Sequence, residues 1–281
     1  MMKRFGLLCN PRLPQSEDLA REIELALAEL GGSAWILSDC DDERIRELAG
    51  ESDGLITLGG DGTIIRAARL AADKGVPILG VNMGRVGFLA ETEPEHVIEL
   101  LPSILEGRYR IEKRTMLLIQ AHSGAEGVVD YEAVNDVAVC RGRVGRVAHV
   151  SAYVGGELLT TYVCDGLIVA TATGSTAYAL AAGGPILDPE LDDILLVPVA
   201  PHLSMSGALV LPGRVDVRLE VVGDHEASLT VDGRSCGSLT NGDRVLVGKS
   251  RHHASFIRLS PPSLFYRTLL RRLRRPDQAP E

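Results

Sequence analysis

The sequence predicts an α/β N-terminal domain with a parallel, Rossmann-like sheet, followed by a β-rich C-terminal domain. In the first hundred residues, short apolar runs alternate with segments whose apolar residues fall on one helical face. Further along, short runs of strand character are separated by glycine-containing turns. A chain of 281 residues is long enough for two such domains, each with its own core.

The N-terminal strands and helices alternate along the chain. The predicted strands are Phe5 to Cys9, Ala34 to Leu37, Leu55 to Leu58 and Pro77 to Val81. The predicted helices are the segment with Leu19, Ile23, Leu27 and Leu30 on one face, then Asp42 to Leu48, Thr63 to Lys74 and Pro94 to Leu105. Strands separated by helices of this length favour a parallel sheet with right-handed crossovers. Ligands of such sheets bind beyond the carboxyl ends of the strands.

The second half of the chain reads as antiparallel strands joined by tight turns. Strand character is found in Arg108 to Ala121, Glu132 to Val139, Val150 to Val154, Glu157 to Tyr162, Val215 to Val222, Ser228 to Val231 and Arg244 to Val247. Gly155-Gly156, Asp232-Gly233 and Asn241-Gly242 mark turns between them. We therefore predict domains at 1–107 and 108–255. The last segment, 256–281, returns to helical character, and we expect it to pack on the first domain.

Composition excludes several functions. The net charge of −9 argues against a broad nucleic-acid surface, because phosphate neutralisation needs clustered cations. Five arginines between Arg267 and Arg275 are the exception, and a solvated helix face is favoured there over an anion-binding tail. The five cysteines show no metal-ligand or redox spacing, and the adjacent His252 and His253 would point to opposite strand faces. Without a signal-like or membrane-spanning stretch, we expect a cytoplasmic protein with reduced thiols.

The most informative segment is Gly59-Gly60-Asp61-Gly62-Thr63, where a predicted strand meets a predicted helix. Its glycines allow positive φ and a close approach of the main chain to a ligand. The helix N-terminus behind them favours phosphate. A lone carboxylate at this place suits proton acceptance from a hydroxyl beside a polyphosphate. The alternative is a tight turn in which Asp61 only caps the helix.

A second segment with candidate site residues runs from Cys164 to Tyr178, where a predicted strand ends in small hydroxylic residues. A helix is predicted from about Ser175 to Ala182, and Gly183-Gly184-Pro185 ends it. Thr173, Ser175 and Thr176 can donate hydrogen bonds to phosphate or ribose, and the Tyr178 ring can stack on a base. By itself, this run is equally compatible with a capped helix packed on a sheet.

Taken together, these segments resemble the NAD kinase family. The matching segments are 59–63, Asn82-Met83-Gly84-Arg85-Val86-Gly87-Phe88-Leu89, Asn135-Asp136, 165–178, Gly183-Gly184-Pro185-Ile186-Leu187 and 198–212 with Leu203-Ser204-Met205-Ser206. They occur in the family's order over roughly residues 50 to 240. The glycine loop alone is weak evidence, because lipid kinases and phosphofructokinases share it, but the ordered set is specific.

The resemblance implies transfer of a phosphoryl group from ATP or polyphosphate to the adenosine ribose 2′-hydroxyl of NAD, with Asp61 as general base. It also implies a divalent metal, Mg²⁺, carried in by the donor rather than held by a carboxylate cage, and a homodimer or homotetramer. Its implied NAD- and phosphate-binding residues are Gly62, Arg66, Asn135, Asp136, Arg146, His149, Asp165, Thr173, Thr176, Ala177, Tyr178, Ala179, Leu180, Ala181 and Arg234. In some members, the aspartate at the position of Asp165 serves a neighbouring subunit.

Several of these assignments have alternatives. Arg66 also reads as a solvated helix cation, and His149 equally as a structural histidine on a strand. Val163 stands where some relatives carry a basic residue, and Arg234 replaces a glutamine common in the family. Two rival functions are a diacylglycerol-type lipid kinase, which shares the glycine loop, and a catalytically idle dinucleotide-binding regulator. The polar character of Asn135, Asp136, Thr173 and Thr176 disfavours the first, and the presence of Asp61 disfavours the second.

Overall fold

The computed structural model describes residues 2–38, 42–84, 87–124, 127–143, 145–202 and 205–273. The chain forms two compact units, one of Met1–Lys113 with Ala254–Glu281 and one of Arg114–His253. It passes from one unit to the other within strand β5 and returns within strand β16.

The helices and strands are as follows. The strands are β1 Arg4–Cys9, β2 Ser33–Leu37, β3 Gly54–Gly59, β4 Ile78–Asn82, β5 Arg110–Ser123, β6 Gly127–Ala133, β7 Asp136–Arg141, β8 Ala148–Val154, β9 Glu157–Cys164, β10 Gly166–Thr171, β11 Ile194–Val199, β12 Leu209–Leu211, β13 Val217–Val221, β14 Ala227–Val231, β15 Arg234–Leu239 and β16 Arg244–Arg258. The α-helices are α1 Gln15–Glu29, α2 Asp42–Gly50, α3 Asp61–Ala71, α4 Val97–Leu105, α5 Tyr178–Ala181 and α6 Leu264–Leu273. Short 3₁₀ turns cover Ala72–Lys74, Pro94–His96 and Thr173–Thr176.

The first unit is built on a parallel sheet with the strand order β2-β1-β3-β4-β16. The strands β1, β3 and β4 are buried, as expected for a parallel sheet covered by helices, whereas the edge strand β2 is only partly buried. The α/β fold predicted for the N-terminal half is therefore confirmed. In α1, Leu19, Ile23 and Leu27 are buried as predicted, but Leu30 is 47% exposed. The helix ends at Glu29, so Leu30 no longer follows its apolar face.

The second unit is β-rich, as predicted. One antiparallel sheet has the order β12-β11-β10-β7-β14-β15, and a second set of antiparallel strands contains β13, β8 and β9. Apolar side chains that include Val139, Val169, Leu219 and Val245 form its main core. A smaller apolar cluster around Ile168 supports α5.

The predicted turns are confirmed. Gly155 and Gly156 both have positive φ between β8 and β9, and so do Asp232 and Gly233 between β14 and β15. Positive φ at both central residues is the geometry of a two-residue type I′ hairpin. The predicted continuous strand from Glu132 to Val139 is wrong, because β6 ends at Ala133 and β7 begins at Asp136.

Four cysteines of the described residues are free thiols: Cys9, Cys140, Cys164 and Cys236. Cys40 lies outside the described residues. In the part of the chain that the structure describes, no helix combines the length and apolarity needed to cross a bilayer.

Candidate active site

Asp61 is the first residue of α3, directly beyond the carboxyl end of β3. Its Oδ2 accepts the N–H of Phe88 at 2.9 Å, and its Oδ1 accepts the N–H of Leu89 at 3.2 Å. The N-cap of α3 is Gly60, and no side chain caps it. The alternative in which Asp61 only caps the helix is therefore wrong, because the carboxylate binds the main chain of another loop. A Cβ on Gly87 would lie 1.9 Å from Asp61 Oδ1, so only glycine leaves room for this arrangement.

The glycines around Asp61 contradict one part of the sequence prediction, the positive φ, but not the other, the close approach of the main chain to a ligand. None of Gly59, Gly60 and Gly62 has positive φ, so a left-handed backbone is not their purpose. Gly59 is required by close packing, because a Cβ there would lie 2.4 Å from Thr63 Oγ1. Gly60 and Gly62, by contrast, have no atom within 4 Å of an added Cβ. They leave the main chain at the helix N-terminus open to the close approach of a ligand.

Arg66 lies on the same helix and forms an ion pair with Asp42. Its Nε is 2.9 Å from Asp42 Oδ1, and Arg69 Nη2 is 3.0 Å from the other carboxylate oxygen. The Arg66 side chain is 39% exposed and borders a small cleft that also contains Thr63 and Ser38. The ion pair accounts for Arg66 as a helix-surface cation, and its role toward phosphate stays a prediction.

Asn135 and Asp136 lie where the chain passes from β6 to β7. The carboxylate of Asp232 accepts the N–H groups of Val134 at 3.0 Å, Asn135 at 2.7 Å and Asp136 at 3.2 Å. These three bonds explain why the strand breaks here: the N–H groups point to a carboxylate instead of a neighbouring strand. Asp232 sits in the tight turn between β14 and β15, and its left-handed backbone, with φ of +48°, directs its side chain there.

The Asp136 side chain is buried, with 5% of its surface exposed. Desolvation, with a smaller contribution from the negative charge of Asp232, raises the pKa of Asp136 from 3.8 to about 7. At neutral pH, this carboxyl is thus close to half protonated. It can donate as well as accept a hydrogen bond, which suits contact with a ribose hydroxyl or an amide.

The segment from Thr173 to Ala181 packs against the loop at Asn135. A Cβ on Gly174 would lie 2.1 Å from the Asn135 carbonyl oxygen, so this glycine permits the contact. Instead of one helix from Ser175, the chain forms a 3₁₀ turn over Thr173–Thr176 and then the short helix α5. The hydroxyl of Ser175 is fully buried and donates to the Ala172 carbonyl at 2.6 Å.

Tyr178, Cys140, Asp136 and Asp165 form one cluster in the second unit. Burial raises the pKa of the Tyr178 hydroxyl and of the Cys140 thiol, and each of the two groups also affects the pKa of the other. The charges of Asp136 and Asp165 act on both. Asp165 also pairs with Arg141, with 3.1 Å from Oδ1 to Nη1. Tyr178 is 41% exposed, which leaves surface for a ring to stack upon.

The buried threonine of this segment, Thr173, is approached by a guanidinium. Arg114, itself 3% exposed, has its Nη1 at 3.5 Å from Thr173 Oγ1. Thr176 donates its hydroxyl to the Thr173 carbonyl at 3.1 Å. The structure thus brings together five predicted site residues: Asn135, Asp136, Thr173, Thr176 and Tyr178.

The other predicted residues have different surroundings. Ala179 is fully buried in the small apolar cluster, whereas Ala177 and Leu180 are partly buried and Ala181 is exposed. Arg146 is exposed between β7 and β8.

His149 and Arg234 lie on strands. His149 is exposed on β8 directly opposite Val163 of β9, so a histidine stands beside the position where some relatives carry a cation. Arg234 is exposed at the start of β15, opposite Val231.

Several residues that build the site have no functional signal in the sequence. The sequence marks Asp232 only as a turn residue and Cys140 only as a scattered thiol. Arg141 and Arg114 carry no motif. The sequence shows the Asp232-Gly233 turn, but the hydrogen bond from the Asn135 N–H to the Asp232 carboxylate joins residues that are 97 positions apart. Of the matching motif segments, Arg85, Val86, Leu203 and Ser204 lie outside the described residues, as do the last two arginines of the C-terminal run.

Comparison with known proteins identifies the family to which this chain is similar. Residues 17–109 match the family model of the ATP-NAD kinase N-terminal domain, and residues 134–259 match that of the ATP-NAD kinase C-terminal domain. An NAD kinase of Chloroflexus aurantiacus is 39% identical over 277 residues, covering 98% of this chain and 100% of that protein. An NAD kinase of Heliobacterium modesticaldum is 40% identical over 272 residues, covering 94% of this chain and 96% of that protein.

Solved structures agree on the fold. The yeast NADH kinase complexed with NADH superposes with a TM-score of 0.88 at 22% identity, covering 97% of this chain and 87% of that one. An NAD kinase from Archaeoglobus fulgidus in complex with ATP has a TM-score of 0.78 at 26% identity, covering 95% and 98%. The chain belongs to the NAD kinase family.

Proposed function

We infer that this protein is an NAD kinase, a phosphotransferase that phosphorylates the adenosine ribose 2′-hydroxyl of NAD to give NADP. The observation that carries this conclusion is the Asp61 carboxylate, held by two main-chain N–H groups at the start of α3 in a chain of this family. Its relatives at about 40% identity over nearly their full length are NAD kinases.

We propose that Asp61 is the general base. Phosphoryl transfer depends on positioning and on neutralisation of charge more than on covalent chemistry. The carboxylate takes the proton of the attacking hydroxyl as the bond to phosphorus forms. The open main chain at Gly60 and Gly62, with the helix N-terminus behind it, offers N–H groups to the phosphates. Arg66 adds a cation on the same helix.

We propose that the second unit binds the dinucleotide. Asn135 and Asp136, fixed by Asp232, bind ribose and base, and the exposed ring of Tyr178 stacks against a ring of the substrate. Thr173 and Thr176 supply hydroxyls beside them, and Asp165, Arg146, His149 and Arg234 contribute polar contacts. This set of charged and hydrogen-bonding groups suits a polar nucleotide and not the apolar acceptor of a lipid kinase.

Mg²⁺ is the proposed metal, and it enters with the donor. Among the described residues, no group of three or more His, Cys, Asp or Glu side chains could hold a metal ion. Mg²⁺ is commonly bound by substrate phosphates with one or two protein ligands, so the donor's phosphates would hold it here and it would neutralise charge during transfer. ATP is the proposed donor, supported by the ATP complex of the Archaeoglobus fulgidus relative, and polyphosphate is the alternative.

We propose that the protein assembles as a homodimer or homotetramer in the cytoplasm. Within the second unit, β9 ends the strand order and carries Leu158 and Leu159, which are 56% and 38% exposed. An edge strand with exposed apolar side chains is a natural surface for pairing with a second copy.

The direct test measures NADP formation from NAD with ATP or polyphosphate as donor, with and without a chelator. We expect NADP to form with ATP and Mg²⁺ and to stop on chelation. Binding of NAD without turnover by either donor would support the idle regulator, and phosphorylation of diacylglycerol in place of NAD would support the lipid kinase. Activity that survives thorough chelation would contradict the role of Mg²⁺.

A further inference from the structure

The two N–H groups that hold Asp61 belong to a loop that is itself fixed from the far end of the chain. Leu89 donates its N–H to Asp61 Oδ1, while its carbonyl oxygen accepts a hydrogen bond from Arg258 Nη1 at 2.9 Å. One residue therefore bridges the carboxylate and a guanidinium that lies 169 positions away in the sequence. The whole arrangement lies within the first unit.

Arg258 is buried, with 6% of its surface exposed, and its guanidinium is oriented by two carboxylates. Its Nε and Nη2 lie 3.1 Å and 3.0 Å from the same oxygen of Glu112, and its Nη1 lies 3.4 Å from Glu91 Oε2. Hydrogen bonds between charged groups are stronger than those between neutral groups, and the planar fork of arginine fixes several partners at once.

Glu91 joins the loop at residues 88–91 to the segment at residues 258–260 a second time, now with its side chain on the loop and its bonding partners on the main chain of the other segment. Its Oε1 accepts the N–H groups of Leu259 at 2.9 Å and Ser260 at 2.6 Å. Thus the side chain of residue 258 holds the main chain of residue 89, and the side chain of residue 91 holds the main chain of residues 259 and 260. Reciprocal bonds allow neither segment to shift without breaking several contacts.

We propose that Arg258 is a positioning residue for the reaction: together with Glu91 and Glu112, it fixes the loop whose N–H groups orient the Asp61 carboxylate. This inference rests on the proposed role of Asp61 as general base. A general base must lie within hydrogen-bond reach of the proton that it takes. Misplacement of a catalytic group by about 1 Å can cost roughly 100-fold in rate. Arg258 itself touches neither NAD nor the donor in this proposal.

The test compares R258K and R258M with R110M as the matched control. Lysine keeps the positive charge beside the buried carboxylates, so R258K is expected to fold, but its single ammonium cannot reproduce the fork. Arg110 pairs with the other oxygen of Glu112 at 3.0 Å, so R110M also removes a cation from Glu112 but leaves Arg258 in place.

We expect kcat to fall about 10-fold in R258K and further in R258M, with the KM for NAD within about twofold of the wild-type value. R110M should keep kcat within about twofold. If Arg258 had only a structural role, all three variants would lose stability, and kcat would not fall selectively while the KM for NAD stays unchanged. Wild-type kcat in R258K, or an equal loss in R110M, would overturn the proposal.

Amide hydrogen exchange provides a readout that needs no turnover. The Phe88 and Leu89 amides should be protected in the wild-type protein and exchange at least 10-fold faster in R258K, because their acceptor carboxylate and their loop are no longer held together. Unchanged exchange at both amides would overturn the positioning role. If the wild-type protein made no NADP, the proposed function would fail, whereas this exchange measurement would still decide whether Arg258 fixes the loop. If R258M does not fold, R258K and the exchange data decide alone.

Discussion

The buried carboxyl of Asp136 predicts a specific pH dependence of stability. Its pKa is about 7 in the folded protein, against 3.8 for an unperturbed aspartate, the value expected in the unfolded chain. Between these values, the folded protein holds a proton that the unfolded chain has lost, so a rise in pH favours unfolding. The stabilisation is fully present below pH 3.8 and is lost as the pH rises through about 7.

The magnitude follows from the size of the shift. One pKa unit corresponds to about 1.4 kcal/mol, so a rise from 3.8 to about 7 corresponds to about 4 kcal/mol at most. An asparagine at this position would carry no titrating proton, so the variant D136N should lack this contribution. Both causes of the shift, burial and the charge of Asp232, are absent from an unfolded chain.

The assay is urea unfolding of the wild-type protein and D136N at pH 5, 6, 7 and 8. The free energy of unfolding of the wild type, relative to D136N, should fall by about 1.4 kcal/mol per pH unit below pH 7 and level off above it. Taking the difference between the two proteins removes the contribution that the other titrating groups make to the pH dependence of the free energy of unfolding. A difference that stays constant over this pH range would refute the assignment of a raised pKa to Asp136.

Three further predictions concern the glycines and the assembly. Gly87→Ala should lower kcat at least 10-fold, because the added Cβ would lie 1.9 Å from Asp61 Oδ1. The control is Gly50→Ala, where the atom nearest to the added Cβ is 3.6 Å away. Equal kcat values in the two variants would contradict the proposed geometry around Asp61. Gly174→Ala should raise the Kd for NAD, measured by calorimetry, by roughly 10-fold, because its Cβ would collide with the Asn135 carbonyl; an unchanged Kd would show that this loop does not bind NAD. Light scattering should find a dimer or larger whose activity per chain falls on dilution, and a fully active monomer would contradict shared sites between subunits.

Local patterns in the sequence predicted most of the fold. The alternation of buried strands and amphipathic helices predicted the parallel sheet, and the Gly155-Gly156 and Asp232-Gly233 turns predicted two hairpins. The apolar spacing predicts Leu30 on the buried face of α1, but the helix ends one residue earlier, at Glu29. The end of the helix is marked by Gly31, with φ of +79°, and Gly32, whose N–H groups bond to the Ala28 and Leu27 carbonyl oxygens. The prediction followed the apolar spacing and did not use this glycine C-cap.

The site could be predicted only where a motif marks it. Asp61 stands in a recognisable glycine loop. The prediction of positive φ at its glycines is wrong, and the close packing of Gly59 against Thr63 has no sequence signal, whereas the open main chain at Gly60 and Gly62 agrees with the prediction. Asp232 and Arg258 escaped notice because their partners are 97 and 169 positions away. Such contacts depend on strand register and on the tertiary fold, which neither composition nor local spacing determines.

The central claim, that Asp61 takes the proton of the 2′-hydroxyl, is tested most directly by single-turnover and steady-state kinetics of D61N. Asparagine keeps the size of the side chain and removes the base, so we expect kcat to fall by roughly 10²–10⁴-fold while the Kd for NAD changes by only a few-fold. D73N, which alters an aspartate paired with Lys74 in the same unit, serves as the control and should keep wild-type turnover. Turnover by D61N at the wild-type rate would contradict the assignment of Asp61 as the general base.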